Sequence, residues 1–166
     1  MSSISSCSKT ALIAALIVVA GRVGIAVERM PLPAFTLTAG DGTAVTSDRL
    51  VRPGSWALID VAPDCAPCQA VLRSIDRAEP QVPARRLVIV VAGVNAEGVL
   101  AEAARYPNLA DATWLADPSN AMLQQIGQPG APTIFGMRAR MIEWSLAGVL
   151  MDATDTTSIL ASWLSR

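Results

Sequence analysis

Apolar residues along the chain follow two spacings, one typical of strands and one typical of helices. Short apolar runs with the length of buried strands lie at 56–62, 87–91 and 112–116. Helical spacing follows each run, over 65–79, 96–106 and 117–126. This alternation predicts a β-α-β-α-β-α segment, the arrangement of a mainly parallel sheet with helices on both faces.

Two hairpins and a helix complete the predicted chain. Alternating residues around a glycine-rich turn predict a small N-terminal hairpin over 35–45. Two later strands, Thr133–Met137 and Met141–Leu146, predict an antiparallel hairpin at the sheet edge, and a last helix begins at 152–155. We therefore expect an α/β fold of three layers, with a mainly parallel central sheet and an antiparallel edge hairpin.

The N-terminal segment contains the longest apolar run of the chain. Residues 11–20 read ALIAALIVVA and follow a single lysine, Lys9, which is the pattern of a secretory signal. Cleavage would follow Ala20 or Ala26. Alternatively, residues 11–27 form an uncleaved membrane anchor, or a helix buried in the core.

These interpretations set the expected domains and location. Residues 1–27 are a signal peptide or an apolar anchor helix, 28–34 form a proline-containing linker, and 35–166 form one domain. Signal and anchor both carry that domain out of the cytoplasm. We expect it on the periplasmic side of the inner membrane, or free in the periplasm after cleavage.

Composition and charge exclude several classes of function. The chain has no histidine, which excludes Ser-His-Asp hydrolases, His-ligated zinc sites and a C-x-x-C-H haem attachment. Residues 28–166 carry 11 basic and 14 acidic residues, so their net charge is −3. That balance argues against a nucleic-acid partner. We expect neither a metal nor a cofactor.

The strongest chemical signal is Cys65-Ala66-Pro67-Cys68, where a predicted strand passes into a helix. Disulfide exchange needs a thiolate that attacks and a second thiol close enough to resolve the mixed disulfide. Backbone N–H groups at a helix start lower the pKa of the first thiol. Pro67 is tolerated there because first-turn N–H groups have no partner within the helix.

Other interpretations of these cysteines are weaker. A structural zinc site needs four ligands, and no histidine can complete one. A permanent structural disulfide would close a short loop and constrain the unfolded chain little. Two free buried thiols conflict with an oxidising compartment. Cys7 precedes the apolar run and is expected to be incidental.

A second motif, Gly130-Ala131-Pro132-Thr133, begins a predicted strand about 65 residues further on. The simpler interpretation is a proline at a strand start, where no N–H donor is required. The sharper one is a cis Ala131–Pro132 bond, since X-Pro bonds adopt the cis form at little cost.

Together these motifs resemble the thioredoxin fold, with a C-x-P-C at a helix start, a later x-Pro-Thr and a terminal helix. The hairpin sequence Phe35–Val45 is similar to that of exported TlpA/ResA-type proteins, and the resemblance covers roughly residues 31–165. It implies that Cys65 is the nucleophile and that Cys68 resolves the mixed disulfide.

The same resemblance implies a client-binding role for the second motif. Pro132 would face the two cysteines and, with Ala131 and Thr133, bind the extended chain of the client. The implied partners are exported protein thiols or disulfides. A membrane electron donor is a further candidate partner.

Two acidic residues depart from the family pattern. Pro63-Asp64 stand where the family usually has Trp before the first cysteine, a form similar to MauD-type proteins, which help mature methylamine dehydrogenase. Asp64 is expected to raise the pKa of Cys65, unless its carboxylate caps the helix. Ile59 occupies the position of the buried acid of thioredoxins. Asp60 follows it, faces the other way on a strand, and is a further candidate for tuning the site.

The leading expectation is an enzyme, a thiol–disulfide oxidoreductase acting on exported proteins and more often as a reductant. The alternative is a non-catalytic accessory protein that assists maturation of a client such as a periplasmic dehydrogenase. A peroxidase is disfavoured because Ala62 and Pro63 stand where a peroxidatic site needs Thr.

Overall fold

The order of helices and strands follows the hydrophobic pattern. A computed structural model describes residues 29–128, 130–148 and 153–166. The strands are β1 Met30–Pro31, β2 Thr36–Ala39, β3 Ala44–Thr46, β4 Ser55–Val61, β5 Leu87–Ala92, β6 Thr113–Asp117, β7 Thr133–Arg138 and β8 Met141–Ala147. The α-helices are α1 Ala66–Arg77, α2 Ala96–Ala103, α3 Ala121–Ile126 and α4 Ala153–Leu164.

The segment 1–27, expected as a signal peptide or an anchor helix, lies outside the described residues. No helix within the described ranges is long and apolar enough to cross a membrane.

The strands form one sheet in the order β1-β8-β7-β4-β5-β6-β2-β3. Only the central strands β4, β5 and β6 pair in parallel, and the other five pairings of the described strands are antiparallel. The expectation of a mainly parallel sheet therefore applies to the centre alone. The reason is connectivity: hairpins return the chain at both sides, and β7 runs against β4.

The β7–β8 hairpin is not at the sheet edge, contrary to expectation. Strand β7 lies between β4 and β8, and β1 pairs with the outer side of β8 through Met30↔Ile142 and Pro31↔Met141. Part of the expected linker 28–34 thus belongs to the sheet. The predicted N-terminal hairpin forms as β2–β3 and joins the opposite side of the sheet through β6.

The sheet separates two apolar cores, which gives the expected three layers. Along β4, Ala57, Ile59 and Val61 face the core beneath α1 and α4. Trp56 and Leu58 face the second core, which α3 covers. Successive side chains of a strand point to opposite faces, so the mostly apolar strand β4 supplies both cores.

Helix α3 is shorter than the expected 117–126 and begins at Ala121. Asp117 instead ends β6, where its buried carboxylate accepts hydrogen bonds from the backbone N–H groups of Ala121 and Met122 at 3.0 and 2.9 Å. A carboxylate on these first-turn donors satisfies groups that have no partner within the helix. Gly127 ends the helix in the left-handed conformation, with φ of +77°.

Candidate active site

Helix α1 starts at the two cysteines. Cys65 is the residue that caps the helix, and Pro67 lies in its first turn. A disulfide joins Cys65 and Cys68, whose Cα atoms are 5.2 Å apart. The backbone N–H of Cys68 donates a hydrogen bond to Cys65 Sγ at 3.1 Å. After reduction, this N–H and the helix N-terminus favour a thiolate at Cys65 over a neutral thiol.

The two cysteines differ in exposure. Cys65 is half-buried, whereas Cys68 is completely buried in the core beneath α1 and α4. Cys68, Val71, Leu72 and Ile75 form the buried stripe of α1, as the helical spacing predicted. Of the two cysteines, only Cys65 is therefore accessible from the surface.

The loop before Cys65 is held by backbone and side-chain hydrogen bonds. The Cys65 N–H donates to the Ala62 carbonyl at 3.3 Å, which forms a turn after β4. Gln69 Nε2 donates to the Pro63 carbonyl at 2.9 Å. Gln69 was not singled out from the sequence, although its place one turn after Cys65 on the helix is a usable signal.

Asp64 is exposed beside this loop. Within the described residues its carboxylate accepts no hydrogen bond, and the cap of α1 comes from Cys65 Sγ. The alternative in which Asp64 caps the helix is therefore excluded. The Asp64 carboxylate belongs to the residue directly before Cys65 and is exposed to solvent.

The second motif forms the loop that leads into β7. The Ala131–Pro132 peptide bond is cis, which confirms the second of the two interpretations of this motif. The Thr133 hydroxyl donates to the Gly130 carbonyl at 2.6 Å, and the Gly148 N–H donates to the Pro132 carbonyl at 3.0 Å. No backbone hydrogen bond between described residues involves Ala131. The loop is thus anchored on both sides of a residue whose backbone groups stay available.

Topology brings this loop to the end of the sheet that carries the cysteines. Thr133 pairs with Asp60 near the C-terminal end of β4, and the chain continues from β4 into the Cys65 loop. Cys65 and Ala131 are both partly buried and pack against the same core, which contains Cys68.

Asp60 is completely buried on β4, and neither carboxylate oxygen has a hydrogen-bond partner among the described residues. Burial, and to a smaller extent the negative charge of Asp117, raise the pKa of Asp60 to about 8. By strand alternation Asp60 shares the face of Leu58, away from the core that holds Cys68. This is the orientation that the strand position of Asp60 predicts from the sequence. Asp117 was not recognised as its electrostatic neighbour.

Within the described ranges, no three Cys, Asp or Glu side chains are grouped closely enough to hold an ion.

This chain resembles known proteins in its structure and not in its sequence. No family model matches this chain, and no curated protein matches its sequence. Solved structures do match. One is a secreted Mycobacterium tuberculosis disulfide oxidoreductase homologous to E. coli DsbE, with a TM-score of 0.60 and 19% identity over 77% of this chain and 95% of that chain.

Two further structures give similar values. The exposed lipoprotein thioredoxin Etrx1 of Streptococcus pneumoniae has a TM-score of 0.54 and 19% identity, over 78% of this chain and 99% of that one. The peroxidoxin BcpB of Mycobacterium tuberculosis has a TM-score of 0.61 and 16% identity, over 82% and 94%. At these identities the likeness concerns the fold, and the described part of this chain has the thioredoxin-like fold.

Proposed function

We propose that this chain is an exported thiol–disulfide oxidoreductase that reacts with client proteins through Cys65. The observation that carries the proposal is the disulfide at the start of α1, with one cysteine half-buried and the other fully buried. This arrangement admits a client sulfur to Cys65 and keeps Cys68 for the intramolecular step.

As a reductant, the protein starts with both cysteines reduced. The Cys65 thiolate attacks one sulfur of a client disulfide, and the other client sulfur leaves as a thiolate that takes up a proton. Cys68 then loses its proton and attacks Cys65 Sγ, which releases the second client thiol and closes the Cys65–Cys68 disulfide. Two electrons pass to the client. A membrane electron donor returns two electrons to the pair.

The client binds as an extended segment beside Ala131. Its backbone pairs with the free N–H and C=O groups of Ala131, in the manner of an added β-strand. Ala131 is small and half-buried, so it leaves room for the client backbone near the cysteines. The hydrogen bonds from Thr133 and Gly148 hold the loop in place during this pairing.

We assign Asp60 no proton transfer in these steps. Its carboxyl group lies on the other face of β4 from Cys68. Its raised pKa instead makes the stability of the fold depend on pH. The exported location rests on the N-terminal signal or anchor that the sequence predicts at 1–27.

The first test is capture of the mixed disulfide. The Cys68→Ser variant cannot release a client from Cys65, so it should accumulate mixed disulfides. These appear as bands of higher mass on a non-reducing gel and disappear when a reducing agent is added. Cys65→Ser is the matched control and should capture nothing, because the remaining sulfur is buried. Equal capture by both variants, or none by Cys68→Ser, would show that the assigned roles are wrong.

The second test separates the enzyme from the accessory protein. The purified chain should catalyse the reduction of insulin disulfides by an added small-molecule thiol. Its Cys65–Cys68 pair should also reach equilibrium with glutathione, and the equilibrium constant shows whether the pair favours reduction or oxidation of a client. A pair that stays oxidised in excess reduced glutathione and leaves insulin intact favours the non-catalytic accessory function.

A further inference from the structure

Three arginines line one cleft at the end of the sheet opposite the cysteines. Arg52, Arg85 and Arg86 surround the turn Pro53-Gly54, and the cleft has a volume of about 320 Å³. It lies at the N-terminal ends of β4 and β5, whereas Cys65 follows the C-terminal end of β4. Since β4 has seven residues, these ends are separated by roughly 20 Å at about 3.3 Å per residue.

Two of the guanidinium groups are positioned by neutral acceptors. Arg52 Nη2 donates to the Thr113 hydroxyl, and Arg86 Nη1 donates to the carbonyl oxygens of Leu164 and Ser55. Each bond occupies one nitrogen of its guanidinium group and leaves the full positive charge in place. The other N–H donors of these groups have no acceptor among the described residues.

The cleft contains no counter-charge from the described residues. Among the described residues, ion pairs join Arg29 to Glu143 and Arg105 to Glu102, and neither pair involves the cleft. Arg85 is exposed and makes no ion pair within the described part of the chain. Three like charges around one space repel each other, and an anion in that space would relieve the repulsion.

Arg138 adds a fourth guanidinium group beside the cleft. Its Nη2 donates to the Ser55 hydroxyl at 3.3 Å, and the Ser55 carbonyl accepts from Arg86. The cluster forms although the chain from residue 28 onward carries a net charge of −3, so these arginines give one end of the molecule a charge opposite to its total.

We infer that this cleft binds a phosphate group, carried by a free phosphate or by a phospholipid headgroup. Guanidinium groups present a planar pair of N–H donors that match two phosphate oxygens. Inorganic phosphate has enough oxygens to contact three guanidinium groups at once, and the two unesterified oxygens of a phospholipid phosphate can each accept hydrogen bonds from more than one guanidinium group. This site is independent of the proposed redox function. With a lipid headgroup in the cleft, the cysteines would face away from the bilayer.

The test uses the purified full chain in nanodiscs, with arginine Nε–Hε resonances followed by NMR at constant ionic strength. In the first arm, inorganic phosphate is titrated into the protein in phosphatidylcholine discs. In the second arm, the arginine resonances are compared between discs with and without phosphatidylglycerol. We expect the resonances of Arg85 and Arg52 to shift with phosphate in a saturable way.

Arg85→Gln should weaken binding at least fivefold without loss of fold, because Arg85 has no described partner. Arg77→Gln, an equal charge change at an exposed site on α1, should leave binding unchanged.

The two arms also identify the source of the phosphate. Saturable shifts with inorganic phosphate and none with phosphatidylglycerol indicate a free phosphate, whereas shifts that depend on phosphatidylglycerol indicate a headgroup. The proposal is overturned if neither probe shifts the cleft arginines. It is equally overturned if Arg77→Gln weakens binding as much as Arg85→Gln, since the effect would then be general charge attraction.

Discussion

Asp60 is a buried carboxyl group without a hydrogen-bond partner among the described residues. Ionising it inside the fold costs free energy that the unfolded chain does not spend, so burial, together with the nearby charge of Asp117, raises its pKa from 3.8 to about 8. Between about pH 4 and 8 the folded state therefore holds a proton that the unfolded state has lost. Stability falls as pH rises through this window, by up to about 1.4 kcal/mol per pH unit.

Asp60→Asn should remove this dependence. The free energy of unfolding of the variant relative to wild type should increase from pH 5 to pH 8 and then stay constant, because the amide does not ionise. Urea unfolding at a series of pH values measures it, and Asp111→Asn, an exposed acid, is the control for general charge effects. A difference that does not change with pH would show that Asp60 ionises as readily in the fold as in the unfolded chain.

Asp64 offers a second test at the residue scale. Its exposed carboxylate disfavours a thiolate at the neighbouring Cys65, so Asp64→Asn should lower the pKa of the reduced Cys65. Alkylation by iodoacetamide at neutral pH should become roughly two- to fivefold faster, the size of an exposed charge interaction. Glu97→Gln removes an exposed charge elsewhere and should change nothing. Slower alkylation of the Asp64 variant would mean that its carboxylate stabilises the thiolate.

At the scale of elements, the β7–β8 pair depends on a glycine facing a tryptophan. A Cβ built on Gly136 would lie 2.0 Å from the Trp144 ring. Gly136 pairs with Trp144 where the register shifts, and the Trp144 ring meets Trp163 of α4 edge-on at 5.8 Å. The missing side chain therefore lets the indole lie flat on β7 and connects the hairpin to α4.

Gly136→Ala should displace the Trp144 indole and lower the free energy of unfolding by about 1–3 kcal/mol, the usual cost of overpacking. Gly136→Ala combined with Trp144→Leu gives the methyl group room and should recover part of the loss. Urea unfolding followed by circular dichroism measures both variants. An unchanged stability of the single variant would contradict the close packing of this pair.

For the whole molecule, one central strand supports both cores. Leu58 and Ile59 are fully buried on opposite faces of β4. Leu58→Ala and Ile59→Ala should each lower the free energy of unfolding by about 2–5 kcal/mol. Fluorescence and circular dichroism should still report one transition, because both cores depend on the same strand. Separate transitions for the two probes would show that the cores unfold independently.

The sequence predicted the local elements well, because helical and strand spacing are properties of short segments. The buried stripe of α1 follows from the helical spacing of its apolar residues. The cysteine pair was equally visible, since a strand followed directly by C-x-P-C brings the two sulfurs to one helix turn. Helix α3 was predicted too long, because Asp117 could equally end a strand or begin a helix until β6 paired with β5.

The local elements and the reactive cysteines were thus determined by the sequence itself, through interactions between residues a few positions apart. Only the tertiary structure decided the strand order, the pairing of β1 with β8, the Asp60–Asp117 proximity and the arginine cleft. Arg52 and Arg85 are more than 30 residues apart, and no periodicity in the chain records that β4 and β5 start side by side. Such juxtapositions depend on which edges and faces pair after the chain collapses, and many sequences with the same local pattern would allow other pairings.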